Sequence, residues 1–519
     1  MTTCDAGYWS LLPPLISISI AVLTKEIIIS MFLGLFSGAL IYAIFQGGSV
    51  LLAIDTIMSV LSGKVGENMP MVMFLLLLGA LVAIMNAAGG AKAYGDWAYK
   101  RLKTPQSASL MTCFMGVVIF IDDYFNCLTV GSVMRPVTDR FNISREKLAY
   151  FIDATAAPIC IMAPVSSWAA YVISCMPDEF KAEGMKLFIK TIPVNIYGIL
   201  TITMVLIIAL RKNSDYGRMR RIERIARWKG RLGAERVIRT GVQEASNVSG
   251  KGRVYDLVIP IVFLVLCSFL TLLHYGGYWN SQESVSIAQA IGGSDPGKAL
   301  TVSSFASIIL AFIMYVPRRL LSFQSFSSSM LLGFKTMLPP IVMLALAWGL
   351  SGVCNDLIGT GHTISGIVKA TGVCVDILPA VMFVLSALFA FATGASWCVI
   401  GILVPVIFHI CNGLAPSYIV VSLAATLSGA VWGDHCSPIA DTTILSSAGA
   451  DCNHMSHVAT QMPYAVTVGI ASTVGFLVAG FLNGRGYCVM ACASIALSTV
   501  LLFAMVVLIT HFVRKRHRS

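Results

Sequence analysis

The chain has 519 residues, of which 57% are hydrophobic and only 12% charged, with a mean hydropathy of +0.81, whereas soluble globular domains carry roughly 25% charged residues. That balance excludes a soluble enzyme or binding module and identifies a membrane protein. The net charge of +11 does not signal a nucleic-acid partner, because 13 Lys/Arg against 4 Asp/Glu are gathered in one segment, 211 to 253, and 4 more basic residues in the tail FVRKRHRS.

In chain order, MTTCDAGYWSLLPPL lacks the basic region and small-residue cleavage site of a signal peptide, so the first segment is expected to stay in the protein. Uncharged runs of spanning length follow at 71 to 91, 191 to 210, 257 to 273, 299 to 316, 336 to 355, 459 to 483 and 488 to 510, against the ~20 residues a helix needs to cross. From Ile377 to Gly433 there are 57 residues without Asp, Glu, Lys or Arg. That block is too long for one crossing, and its Gly, Pro and Ser residues mark where it folds back. The basic segment 211 to 253 reads as a cytoplasmic loop, which places 275 to 298 outside, 317 to 335 inside and the basic C-terminus inside. The 14 cysteines lack paired metal-type spacing and read as small buried hydrophobes.

The basic segment separates an N-terminal membrane block, 1 to 210, from a C-terminal one, 254 to 519. Each holds a similar polar passage. FIDDYFNCLTVGSVMRP and DATAAPICIMAPVSSW lie in the first, FATGASWCVIGILVP and SLAATLSGAVWGDHCSP in the second, at nearly matching spacing. Repetition of interrupted segments in two halves points to a transporter's binding site. Pro158 and Pro164 make a continuous helix through 153 to 168 unfavourable, and irregular backbone at membrane depth survives only inside protein or beside a water-filled cavity.

In FIDDYFN a helix would put Asp122, Asn126 and Thr129 on one face, with Asp123 pointing elsewhere. Intramembrane carboxylates mark ion or proton pathways. The competing reading has residues 122 and 123 at a helix end meeting water, against which stand the apolar runs GVVIFI and CLTVGSVM on either side. Asp153 fits either a ligand or a cap between helices. Ser166 and Ser167, directly after a proline break, offer hydroxyl and backbone oxygens suited to Na+. In TGAS, Thr393, Gly394 and Ser396 suit a re-entrant tip where backbone comes close to a ligand, or simple close packing of small residues. In VWGDHCSPIADTT, Asp434 and Asp441 flank a proline break beside Ser437 and Thr442, so both carboxylates can face one cavity. Two neighbouring carboxylates removed from water favour taking up a proton, and a cation on the same oxygens would displace it. His435 is either a titrating partner or structural. HMSH, 454 to 457, has the look of a metal pair but lacks further ligands. An intramembrane hydrolase using Ser166 or Cys436 is the reading from another class, and no P-loop pattern supports primary pumping.

At these residues the chain resembles the NhaC family of bacterial Na+/H+ antiporters. The resemblance is carried by WSLLPPLISISIAVLTKE, FIDDYFNCLTVGSVMRPVTDRFNISREKLAYFIDATAAP, LAWGLSGVCNDLIGTG, FATGASWCVIGILVP and WGDHCSPIADTTILSSAGADCNHMSHVATQMPYA. It implies an all-α polytopic membrane protein with two inverted-topology repeats, broken helices and re-entrant hairpins, working by alternating access in the bacterial cytoplasmic (inner) membrane. It implies a transport site around Asp122, Asp123, Asn126, Ser166, Ser167, Thr393, Ser396, Asp434, Ser437 and Asp441. It also implies a homodimer in membrane lipid, with Na+ and H+ as transported ions, no other cofactor or metal, and no enzymatic activity. Two departures each remove a hydroxyl: Ala440 where SPISD is expected and Ala395 where TGTS is expected. Family members also exchange small carboxylates, and an exchanger of organic acids or amino acids coupled to Na+ or H+ is the alternative.

Overall fold

The computed structural model describes residues 3–24, 26–211, 214–229, 250–279, 285–360, 363, 366, 374–438 and 440–515. Among them the regular elements are all helical. The chain opens with α1 (Leu12–Thr24), α2 (Ile27–Phe45), α3 (Val50–Glu67), α4 (Met69–Ala87), α5 (Gly90–Arg101), α6 (Pro105–Val118), α7 (Asp123–Arg140) and α8 (Arg145–Cys160). It continues through α9 (Ser167–Ser174), α10 (Asp178–Lys181), α11 (Gly184–Thr191), α12 (Ile196–Leu210) and α13 (Gly217–Lys229). After these come α14 (Tyr255–Tyr275), α15 (Ile287–Gly292), α16 (Pro296–Tyr315), α17 (Phe323–Ser351) and α18 (Leu378–Thr393), and finally α19 (Ser396–Leu414), α20 (Ile419–Cys436), α21 (Asp441–Ala450), α22 (His454–Leu482) and α23 (Tyr487–Lys515).

Ten helices among the described residues are long and apolar enough to cross a membrane, and an eleventh crossing arises if 184–194 and 196–210, bent by 45° at Asn195, form one span. The chain is a multi-pass membrane protein. Side chains such as Leu266 and Leu270 on α14, Phe305 and Ile313 on α16, and Val500 and Leu508 on α23 are exposed, at a cost in water that hydrocarbon removes.

The uncharged block from 377 to 433 folds back twice, at Gly394–Ala395 and at Ala415–Pro416, as its small residues and proline suggest. The helix is broken between 153 and 168, as its two prolines suggest, at the second of them. Helix α8 runs through Pro158 to Cys160, and the interruption is 161 to 166, around Pro164. A helix tolerates a proline in a membrane protein where neighbours cover the freed carbonyl, and α8 is buried over nearly all its length. The basic segment is more than a loop, since its described part contains α13, packed on α8 and α22.

Helices α2, α3, α4, α14, α16 and α17 pack together as one group, while α6 to α9, α12 and α18 to α22 form a second. Both groups draw helices from either side of 211 to 253. Within the second, α18 and α20 approach so closely that a Cβ on Gly429 or Gly433 would strike the carbonyl of Phe383 or Ala387. Likewise, a Cβ on Gly131 of α7 would lie 2.6 Å from the backbone of Gly449 of α21. Small residues permit this approach, and it brings the interrupted segments together.

Candidate functional site

Four chain interruptions surround one buried polar region: 119 to 122 between α6 and α7, 161 to 166 between α8 and α9, 394 to 395 between α18 and α19, and 437 to 440 between α20 and α21. Interrupted helices leave amides and carbonyls without partners, and the polar side chains here first serve to satisfy them. Asp122 caps α7, accepting from the Phe125 amide at 2.9 Å. It stands just before the helix, not on the helical face expected with Asn126. Ser166 caps α9, accepting from the Ala169 amide at 3.1 Å and donating to the carbonyls of Cys160 and Ala163 at 2.8 and 2.9 Å. Asn126 donates to three carbonyls, of Gly116, Ile119 and Thr155, at 2.6, 2.8 and 3.2 Å. Thr393 donates back to the Phe389 carbonyl at 2.9 Å and Ser437 to the Phe391 carbonyl at 2.8 Å. Gly394 has φ +69° at the C-terminus of α18, a left-handed turn that glycine adopts without steric cost. Ser166, Asn126, Thr393 and Ser437 thus hold the breaks in shape.

Five aspartates lie within that frame. Asp122, Asp123, Asp153 and Asp434 are at most 1% exposed, and Asp441 is half-buried. Asp122 also accepts from the Ser167 hydroxyl at 3.0 Å. Asp123 accepts from the Tyr124 amide at 3.1 Å and lies within electrostatic range of Asp122 and Asp441. Asp441 accepts from the Tyr124 hydroxyl, and from the Thr442 amide at 2.8 Å. Asp434 accepts from the Ser396 hydroxyl and lies within electrostatic range of Asp441 and Asp153. Asp153 accepts from the Thr443 and Ser446 hydroxyls at 3.2 and 3.3 Å and from the Gln461 amide at 2.5 Å. Every partner here is a hydroxyl, an amide or a backbone N–H. None of the five aspartates forms an ion pair with a lysine or arginine among the described residues.

Also among the described residues, Asp123 Oδ2, Asp434 Oδ1 and Thr442 Oγ1 are buried without a hydrogen-bond partner. Buried polar atoms are rarely left so, and three acceptor oxygens in one region suit a cation or a proton. His435 pairs its Nδ1 with the Tyr197 hydroxyl at 2.9 Å and lies within electrostatic range of Asp153. The histidines of HMSH are tied up locally: His457 between Ser447 and Gln461 at 2.9 and 3.0 Å, and His454 against the Pro438 carbonyl at 2.6 Å.

Sequence reasoning missed Tyr124, Thr443, Ser446 and Gln461 as partners of the aspartates. Tyr124 stood inside FIDDYFN, and Gln461 is the lone glutamine in the run 459 to 483, which was the available signal.

A helical membrane body whose interrupted segments enclose carboxylates defines a secondary transporter. The fold is similar to that of the Alcanivorax borkumensis YdaH transporter, with a TM-score of 0.54 over 84% of this chain and 89% of that one, at 14% identity. An uncharacterized protein of Haemophilus influenzae is 36% identical over 490 residues, 92% of each chain. The malate-2H(+)/Na(+)-lactate antiporter of Bacillus subtilis is 28% identical over 204 residues, 36% of this chain and 43% of that one. A family model described as the Na+/H+ antiporter family matches residues 159–481. The chain belongs to the Na+/H+ antiporter family and is a secondary antiporter.

Proposed function

We propose that the protein exchanges Na+ for H+ at the aspartate cluster by alternating access. The observation that carries this reading is the charge balance of the site: five carboxylates, orphaned acceptor oxygens and, among the described residues, no lysine or arginine paired with any of them. Such a site attracts a cation. An organic acid such as malate would need a basic residue to offset its charge, so the relative's carboxylate exchange is the second reading, favoured only by that likeness.

Asp123, Asp434 and Asp441 supply the oxygens for which cation and proton compete, with Asp122 and Thr442 beside them. Ser167 and Ser396 orient Asp122 and Asp434, and Asp153 anchors α8 to α21 and α22. His435 keeps a structural place against Tyr197. The hairpin α6–α7 with the broken pair α8–α9, and the hairpin α18–α19 with α20–α21, act as two inverted repeats whose tips meet at the site. Supporting this, the α7–α8 turn touches the end of α21 through Arg145 and Asp451 at 2.8 Å, whereas a cavity of about 110 Å³ at the opposite end is lined by both Ser174 of α9 and His409 of α19. In the cytoplasmic (inner) membrane of a bacterium, 211 to 253 and the C-terminus would face the cytoplasm, with the protein working as a homodimer.

The test is reconstitution into vesicles with an imposed pH gradient. Addition of Na+ should dissipate the gradient, and labelled malate, lactate and amino acids should show no saturable flux. Solute flux without a response to Na+ would overturn the assignment.

A further inference from the structure

Helix α13 is the regular element among the described residues of the basic segment, and its two faces differ in kind. Met219, Glu223 and Ala226 are buried, at 0 to 3% exposure. The opposite arc carries Arg218, Arg221, Arg224, Ile225 and Trp228, all exposed, with Trp228 at 86%. At 3.6 residues per turn these five positions fall within about a third of the circumference. The buried face is fixed firmly. Glu223 accepts from the amide and hydroxyl of Ser144, each at 2.8 Å. Just before the helix, Asp215 meets Lys147 of α8 at 2.9 Å and accepts from the Tyr464 hydroxyl of α22 at 3.2 Å. The helix begins seven residues after the apolar α12 ends at Leu210, close to the level where a spanning helix leaves hydrocarbon.

We propose that the exposed face of α13 docks on the headgroups of anionic phospholipid, with the three arginines on phosphates and Ile225 and Trp228 in the acyl boundary. Clustered arginine with tryptophan on one arc of a helix at the membrane surface fits a negatively charged leaflet. Five arginines stand on α13 against a single Glu223, which is already engaged. Uncharged zwitterionic lipid leaves the arginines uncompensated, and a purely apolar partner leaves them desolvated. The anchoring of α13 to α8 and α22, which carry Asp153 and Gln461, links this surface to the frame of the site. The inference goes beyond the exchange reading and stands whichever solute is carried.

The test uses the full chain in phosphatidylcholine nanodiscs with a minor fraction of spin-labelled phosphatidylglycerol, reading tryptophan fluorescence in the wild type minus Trp228→Phe. The Trp228 signal should be quenched by labelled phosphatidylglycerol in preference to equally labelled phosphatidylcholine. Arg218→Gln, Arg221→Gln and Arg224→Gln together should abolish that preference, each contributing roughly five-fold in lipid affinity. The three Arg→Lys changes should retain most of it, and Lys100→Gln with Arg101→Gln on α5 should leave it intact. Equal quenching by the two lipids, an equal loss in the α5 variant, or a Trp228 signal that answers to a soluble polyanion but not to phosphatidylglycerol would overturn the proposal.

Discussion

Asp441 receives the Tyr124 hydroxyl on one oxygen and the Thr442 amide on the other, so its orientation depends on a residue 317 positions away in the chain. Tyr124→Phe removes that donor while keeping the ring. A hydrogen bond to a charged group contributes about 1.5–3 kcal/mol, and the exchange rate in vesicles should fall by at least roughly ten-fold on that scale. Asp441→Asn, which keeps the shape but not the charge, should lower exchange to near background while the protein still purifies as a folded species. Asn126 belongs to a different kind. Its amide serves three carbonyls at a helix interruption, and Asn126→Ala leaves them buried and unmet. The expected loss is about 1–3 kcal/mol of stability, read as a lowered melting temperature. An unchanged melting temperature with lost Na+ dependence would instead make Asn126 a ligand.

At the scale of elements, the site exists because helices stop short. Four interruptions bring carboxylates from α7, α8, α20 and α21 together, and the close packing of α7 on α21 at Gly131 and Gly449 keeps them there. Gly131→Ala places a methyl group against backbone atoms that cannot yield as a side chain would. It should separate α7 from α21, weaken the Tyr124–Asp441 link and reduce both melting temperature and exchange. Much of this level was legible in the sequence. The uncharged runs located most of the spans, though not the one in α2, because charged side chains are costly in hydrocarbon, and the glycine of TGAS marked one of the two folds in the long block, while the second, at 415 and 416, was not singled out. The two prolines pointed to a break within 153 to 168, and it falls at Pro164, whereas Pro158 stays within α8 where neighbouring helices cover it. Roles at the site were less legible. A serine after a break reads as a ligand in sequence, but in space Ser166 is consumed by capping α9 whereas Ser167, one residue on, reaches Asp122. Partners such as Gln461 come from a helix more than 300 residues away from Asp153, a distance that periodicity does not bridge.

For the molecule as a whole, the two groups of helices divide the work: one presents broken segments around the carboxylates, and the other packs alongside with long unbroken helices. If a proton and Na+ occupy the same oxygens in turn, acidification favours the proton and more Na+ is needed to displace it. The half-saturating Na+ concentration should therefore rise as pH falls, approaching roughly ten-fold per pH unit for competition with one proton. Proteoliposome exchange measured over a series of pH values and Na+ concentrations checks this, and a maximal rate that holds constant while half-saturation shifts is the competitive pattern.

The most direct measurement counts protons released when Na+ is added to the purified protein in weakly buffered solution, with and without Asp434→Asn and Asp441→Asn. Release that saturates with Na+ in the wild type and vanishes in the double variant is the predicted result. Saturable Na+ binding without proton release, or a double variant that releases protons like the wild type, would contradict a shared site.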